Sequence, residues 1–487
     1  MKQIKLSLLF SLTLLTTAFC WSQTVISYTL VKSFTKQQVD SLLTANNIPG
    51  SVLGTKYGVN FYKVLYRTPY KHPDSLVQAS GAVVLPQNPA CDLPLVIYSH
   101  GTEANISQIA STMKGAQWEV GVGLASSGFA MALTDFLGMG DKDPKVKIHP
   151  YQHAFHEANT GVNMLRATRE VAHDESIGLN GQVFLFGYSQ GGFVTAAICK
   201  EIQQKYSSEF HIAGAIPMSG SYDLEGAQYE LMKSDSAYPT PGYLPYLTLG
   251  YQSVGVPLFN APSDIFKSPY DTVLPPMFYA GNKGIGTINN YCNPVPKLMF
   301  KDSIVNAIFS DSNHVFRVAL RDNSLVKGWV PQFPIRLYYC NGDEQVSPQN
   351  TVVAYNAWQA GGAPNLAKVD FGNLTHGGCA QLCFIAGKSF MDSLKADCTT
   401  GIAEASVVSS IQMYPNPATD VVRIAFLNNV KPLSVEIWSA DGKLIAKAEK
   451  LVSNLELNVA GWQSGLYAAV LNTDKGRVTK TFFVTHQ

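Results

Sequence analysis

The sequence predicts an α/β fold: a parallel sheet with helices on both faces, a cap inserted into it, and a small β-sandwich at the C-terminus. Three observations carry this. Apolar, β-branched runs alternate with helical patterns from about residue 80 to residue 371. One stretch, about 220–330, breaks that alternation. Beyond residue 398 the chain has no cysteine and turns into short, evenly spaced strand-like runs.

At the N-terminus, Lys2 and Lys5 precede a short apolar run, Leu6–Leu15, and Ser22 offers a small residue for cleavage before Gln23. Residues 1–22 therefore read as a signal peptide, with the mature chain starting at 23. Cys20 raises the alternative of a lipid-modified cysteine, against which the bulky Phe19 speaks. No later stretch reads as a membrane span. Of the eight cysteines, removal of the signal leaves seven, and an exported chain permits disulfides among them.

The main region, 23–398, has strand-like runs at Ala82–Leu85, Leu93–Tyr98, Phe129–Leu133, Val183–Phe186, Ile212–Pro217, Ile335–Tyr339 and Ala367–Phe371. Helical patterns at Glu157–Ala172 and Phe193–Gln204 fall between them. The segment 220–330 holds nine of the 23 tyrosines and ten of the 26 prolines, which reads as a cap shaping a pocket. An Ala/Ser/Thr/Val-rich segment, 399–410, is the candidate linker. In 411–487, Val421–Phe426, Leu433–Trp438, Lys443–Lys447, Leu455–Val459, Leu466–Leu471 and Thr479–Val484 alternate, and Asp441-Gly442 is a hairpin signal.

Composition narrows the function. With 46% hydrophobic and 15% charged residues the chain is not disordered, and a net charge of +1 gives no electrostatic footprint for nucleic acid or anionic lipid.

The chemistry concentrates at Val183-Phe-Leu-Phe-Gly187-Tyr-Ser189-Gln-Gly191-Gly192. This is a G-x-S-x-G between a strand and a helix. A nucleophile there sits on a sharp, strained turn, and the glycines keep neighbouring side chains from colliding. A serine needs a base, and the base needs an orienting carboxylate. The strand Ile335–Tyr339 runs into Cys340-Asn-Gly-Asp343-Glu344, where Asp343 is the preferred acid and Glu344 its rival. The next strand runs into Gly372-Asn-Leu-Thr-His376-Gly-Gly, a Gly-flanked loop that makes His376 the candidate base. His100, His149, His153 and His314 compete poorly by position. For the oxyanion, the expected donors are the backbone N–H groups of Gln190 and of Thr102, the latter in the loop Ser99-His-Gly-Thr102. The side chain of His100 is expected to shape that loop. Cys340, Cys379 and Cys383 lie close in sequence to the acid and base, so a bridge stiffening that region is plausible. A zinc site built on Cys379, Cys383 and His376 lacks a completing cluster.

These residues resemble the α/β-hydrolase fold over roughly 75–395, and within it the secretory-lipase group of carboxylic ester hydrolases. Ser99-His-Gly-Thr102, Asp135-Phe-Leu-Gly138-Met-Gly140-Asp141, His149-Pro-Tyr151 and Gly187-Tyr-Ser-Gln-Gly-Gly192 carry the likeness. The resemblance implies ester hydrolysis with a cap before the acid. Met413-Tyr-Pro415-Asn416-Pro417-Ala418, Asp441-Gly-Lys and Gly465-Leu-Tyr-Ala resemble the C-terminal sorting domain of the type IX secretion system of Bacteroidetes-type bacteria. That implies export and a secretion-machinery partner; a polysaccharide-binding sandwich is the alternative.

The expectation is thus a secreted serine ester hydrolase with a Ser189–His376–Asp343 triad, acting on a small or polymeric ester without metal or cofactor. A roomy apolar pocket under the cap would favour bulky acyl groups. A serine peptidase or amidase of the same fold is the nearest alternative; a catalytically silent binding protein is a more distant one.

Overall fold

Alternate residues of the central strands point to opposite sides of the sheet, and both sides are buried. In β4 (Leu93–Ser99) and β6 (Leu179–Tyr188), Leu95, Ile97, Val183 and Leu185 enter one core, with Val162 and Phe193. Val96, Phe184 and Phe186 enter the other, with Phe129 and Met391. Fully burying one such side chain contributes about 1.5–3 kcal/mol. These strands are therefore continuous apolar runs rather than alternating ones, as parallel strands covered on both faces must be.

The computed structural model describes residues 24–46, 53–115, 117–396, 410–427, 430–439, 443–449, 454–474 and 476–485. The expected signal peptide at 1–22, Cys20 included, lies outside them, as does the linker at 399–410 except Ser410. The chain divides into two units, Met1–Pro89 with Leu93–Lys395, and Ala90–Asp92 with Ala396–Gln487.

The first unit is built on a nine-stranded sheet in the order β1-β2-β3-β5-β4-β6-β7-β8-β9. The remaining strands are β1 (Val25–Phe34), β2 (Val59–Tyr70), β3 (His72–Pro86), β5 (Ala130–Thr134), β7 (His211–Met218), β8 (Ile335–Tyr339) and β9 (Leu366–Asp370). From β5 to β9 neighbouring strands are parallel, as expected. From β1 to β5 through β3 they are antiparallel, so the sheet is mixed. For β2 and β3 the cause is local: a single residue, Lys71 at φ 62°, joins them, and a turn that tight can only reverse the chain. β1 and β2 escape sequence reading because their burial is interrupted; most of β1 is exposed.

Between β7 and β8 the chain forms seven α-helices, Ala227–Lys233 to Val315–Asn323, and no strand. The second unit has two antiparallel sheets, β10-β11-β14 and β13-β12-β15-β16. Their strands run from β10 (Ile411–Tyr414) through β11 (Val421–Phe426), β12 (Pro432–Ser439), β13 (Leu444–Glu449), β14 (Leu455–Asn458) and β15 (Gly465–Thr473) to β16 (Gly476–Val484). Ile411, Val422, Ile424, Ile437, Leu471 and Phe482 form its core. Asp441-Gly442 lies outside the described residues, but the flanking β12 and β13 pair antiparallel as that turn requires. Trp462 packs against Tyr467 within this sandwich.

Candidate active site

Strand β6 ends at Tyr188 and the next helix starts at Gln190, leaving Ser189 alone to make the turn. Its backbone has φ 62° and ψ −124°. For a residue with a Cβ this costs on the order of 1–3 kcal/mol, offset by the packing around it. Ser189 N–H donates to the Met218 carbonyl at the end of β7 (2.9 Å), which anchors the turn. The flanking glycines are steric necessities. A methyl on Gly191 would lie 1.9 Å from the Ser99 carbonyl oxygen, and one on Gly187 would lie 2.4 Å from the Gly191 carbonyl oxygen.

Asp343 and His376 meet from two strand ends. Asp343, in the turn after β8, accepts at Oδ2 from His376 Nδ1 (2.6 Å). Its Oδ1 accepts from the N–H groups of Gln345 and Val346 (3.0 and 2.9 Å). The Asp343 side chain is 1% exposed, so this pairing is shielded from water. Glu344 goes elsewhere: its Oε2 accepts from the backbone N–H of His376 (3.0 Å). His376 is not in an open loop. It opens the helix His376–Leu394, and Thr375 caps that helix by accepting from Gly378 N–H (3.2 Å). A disulfide, Cys340–Cys379, ties the acid turn to the first turn of the base helix. Cys383 is a free, buried thiol whose sulfur lies 3.6 Å from that of Cys379; burial pushes it up to about 12. The ring of His376 packs on Tyr188, the residue before Ser189, at 5.0 Å between centroids, and the Tyr188 hydroxyl donates to the His376 carbonyl (2.6 Å). Among the described residues no hydrogen bond joins Ser189 Oγ to the ring; such contacts commonly tighten only with substrate bound.

The loop after β4 lies against Ser189. A methyl on Gly101 would sit 3.7 Å from Ser189 Cβ, so the backbone leading to Thr102 passes beside this serine. Gln190 is the first residue of its helix, where backbone N–H groups have no partner within the helix. His100 has the packing role expected of it. Its Nδ1–H donates to the Gly101 carbonyl (2.7 Å) and its ring stacks on Phe136 at 4.1 Å; burial holds it down at about 4. Asp135 is also structural, accepting from Ser111 N–H (3.0 Å) and the Ser80 hydroxyl (2.6 Å).

The cavity at Ser189 has a volume of ≈ 20 Å³, about the space of one water molecule. Tyr151, Gln152, Ser221, Gln228, Met232, Tyr243, Leu247, Gln345 and Val346 line it, so the helical insertion supplies part of its wall. The expected roomy apolar pocket is therefore absent from this site. Amides and hydroxyls share the wall with three apolar side chains, a detail that tyrosine and proline counts could not reveal. A larger, ≈ 300 Å³ depression lined by Leu43, Val120, Phe186, Phe384 and Ile385 touches none of the predicted site residues. Among the described residues no group of three His, Cys, Asp or Glu side chains is arranged to hold a metal ion.

Residues 103–226 match the secretory lipase family, a segment that includes Ser189 and Gln190 but not Thr102, Asp343 or His376. Residues 412–485 match the secretion system C-terminal sorting domain. No curated protein matches. The fold is similar to that of the rice cell wall degrading esterase LipA from Xanthomonas oryzae: 26% identity, 76% of this chain, 97% of that chain, TM-score 0.66. A putative hydrolase from Legionella pneumophila is 22% identical over 76% of this chain and 98% of that one, TM-score 0.69. Candida antarctica lipase A in its closed state is 14% identical over 76% and 81%, TM-score 0.56. The last two show the fold alone. Among the described residues no helix is long and apolar enough to cross a membrane. Sheet, secretory-lipase segment, esterase likeness and tail together make this chain an exported α/β-hydrolase, a carboxylic ester hydrolase that carries a type IX secretion sorting domain.

Proposed function

We propose that the chain cleaves its ester through an acyl-enzyme formed on Ser189. Ser189 Oγ attacks the ester carbonyl while His376 Nε2 takes its proton. Asp343 holds the Nδ1–H and stabilises the imidazolium. The N–H groups of Gln190 and Thr102 hold the oxyanion. His376 then protonates the departing alkoxide, and a water activated by the same ring releases the acid. The observation that carries this reading is the buried 2.6 Å contact between His376 and Asp343, beside a serine held at φ 62°.

The cavity wall has no charged side chain but several amides and hydroxyls, which suits a neutral ester bearing hydroxyl groups, such as a sugar or polyol ester. The likeness to an esterase that degrades rice cell wall supports an ester substrate. A substrate larger than a water molecule needs this wall, of which the helical insertion is a part, to widen. The C-terminal sandwich addresses the enzyme to the type IX machinery.

Ser189→Ala should lower kcat on p-nitrophenyl esters at least about a thousandfold while the protein stays folded. Retained activity would move the nucleophile elsewhere. Wild-type cleavage of aminoacyl anilides but of no ester would replace this reading with a peptidase or amidase.

A further inference from the structure

Glu157 is an odd residue to bury. It sits in the first turn of the helix Ala154–Asp174, its side chain is fully enclosed, and no lysine or arginine pairs with it. Enclosing a carboxylate is costly unless its hydrogen bonds are met, and well-packed apolar replacements are often as stable. Yet only Oε1 is engaged; Oε2 has no partner. The location of those Oε1 bonds gives a reason for the expense.

Glu157 Oε1 accepts from the side-chain amide of Gln190 (2.6 Å) and from the backbone N–H of Gln152 (3.0 Å). The Gln190 amide also reaches His149 Nε2 (2.7 Å). His149 Nδ1 donates to the Leu137 carbonyl (2.8 Å), and its Nε2 also lies 3.2 Å from Glu157 Oε1. The Gln190 amide nitrogen is thereby held between His149 and Glu157, while its Oε1 is buried without a partner. From Gln152 the connection continues. Its amide donates to the Tyr151 hydroxyl (3.2 Å), and that hydroxyl pairs with Thr102 Oγ1 (3.0 Å). The Tyr151 ring is itself fixed by stacking on Tyr246 at 4.8 Å.

We infer that Glu157 is a positioning residue for the oxyanion site: one hydrogen-bonded chain, Gln190–Glu157–Gln152–Tyr151–Thr102, holds the two residues whose N–H groups face the developing negative charge. The inference rests on the mechanism proposed above. A preorganised donor contributes to the transition state only while its direction is fixed before reaction. Burial raises the carboxyl of Glu157 above its ordinary range, and its contacts with His149 and Gln190 partly counter this.

The test is a comparison of wild type, Glu157→Gln, Tyr151→Phe and Ser189→Ala on p-nitrophenyl acetate. Inhibition by a trifluoromethyl ketone, which forms an oxyanion on the serine, is measured alongside. Glu157→Gln should lower kcat about 10- to 100-fold and weaken the ketone by the same factor, with KM within about twofold, because only transition-state contacts are lost. Tyr151→Phe removes one link without a buried charge and should lower kcat about 3- to 10-fold, again with matching loss of ketone affinity. A folded Glu157→Gln with kcat and ketone affinity within about twofold of wild type overturns the inference. So does a lowered melting temperature with unchanged kinetics. If Glu157→Gln does not fold, unchanged kinetics in Tyr151→Phe overturn it equally. Activity surviving in Ser189→Ala would instead refute the underlying mechanism, which keeps the two failures distinct.

Discussion

The Cys340–Cys379 bridge joins the turn that carries Asp343 to the helix that carries His376, so removing it should affect stability and catalysis together. The perturbation is the double variant Cys340→Ala/Cys379→Ala. A single substitution would leave the thiol of Cys383, 3.6 Å from Cys379, free to form a substitute bridge. A reductant would also open the disulfide at Cys91. The bridge spans 39 residues. Loop-closure entropy for that length is about 13 cal/mol/K, or about 4 kcal/mol at 25 °C. That is a large part of a typical folding free energy of about 5–15 kcal/mol. The assay is urea unfolding followed by intrinsic fluorescence, with ester turnover measured in the absence of urea. The expected result is a loss of about 4 kcal/mol together with a lower kcat, as the acid turn and base helix are then held together mainly by the Asp343 and Glu344 contacts. An unfolding free energy within about 1 kcal/mol of wild type, with kcat unchanged, would refute the view that the bridge is what fixes this pair.

Two further outcomes follow from the same geometry. Asp343→Asn should fold and lose on the order of 10⁴-fold in kcat, whereas Glu344→Gln, which changes a group touching only a backbone N–H, should lose less than about tenfold; equal losses in a kinetic comparison would undo the assignment of the acid. Stability should fall on acidification because His153 and His156 are buried neutral. His156 Nε2 accepts from Lys71 N–H (3.1 Å) and its Nδ1 faces His153 Nδ1 (3.0 Å); burial pushes the two rings down to about 4 for His153 and about 2 for His156. In the unfolded chain the same imidazoles take protons near pH 6.5. Below that pH the unfolded state binds more protons, so stability is flat above about pH 7 and declines toward pH 4, at up to about 1.4 kcal/mol per pH unit for each ring. Thermal melts between pH 7.5 and 4.5 check this, and a flat profile would count against buried neutral rings.

The parts of the site legible in sequence were those with a local steric requirement. The elbow needs glycine where Gly187 and Gly191 stand and a serine between them, and five consecutive positions record that need. The parallel strands β4 to β7 were legible because burial on both faces leaves continuous apolar runs. β1 was not, because a mostly exposed antiparallel strand has a weaker pattern, and in β2 buried positions are interrupted by partly buried polar ones. Asp343 and Glu344 are adjacent carboxylates at one turn, and the Gly342-Asp343 pairing favours Asp343 without fixing which side chain meets the ring. The geometry decides it: 2.6 Å from Asp343 Oδ2 to Nδ1, and 3.0 Å from Glu344 Oε2 to the backbone N–H. Glu157 was invisible for another reason. In sequence it is an acidic residue in the first turn of an amphipathic helix, which is ordinary; only enclosure and its contact with Gln190 make it unusual.

The sequence by itself marked the candidate residues and the address: a serine on a strained turn, a carboxylate pair and a histidine after later strands, and a tail matched by a sorting domain. Those are written in short motifs whose physical demands are met by neighbours along the chain. Tertiary structure decided which carboxylate meets the His376 ring, which cysteines join, how little space stands open at Ser189, and that the buried carboxylate of Glu157 contacts Gln190. Each of these depends on distances between residues 30 or more positions apart, or on how tightly separate elements pack, and such distances exist only once the chain has folded.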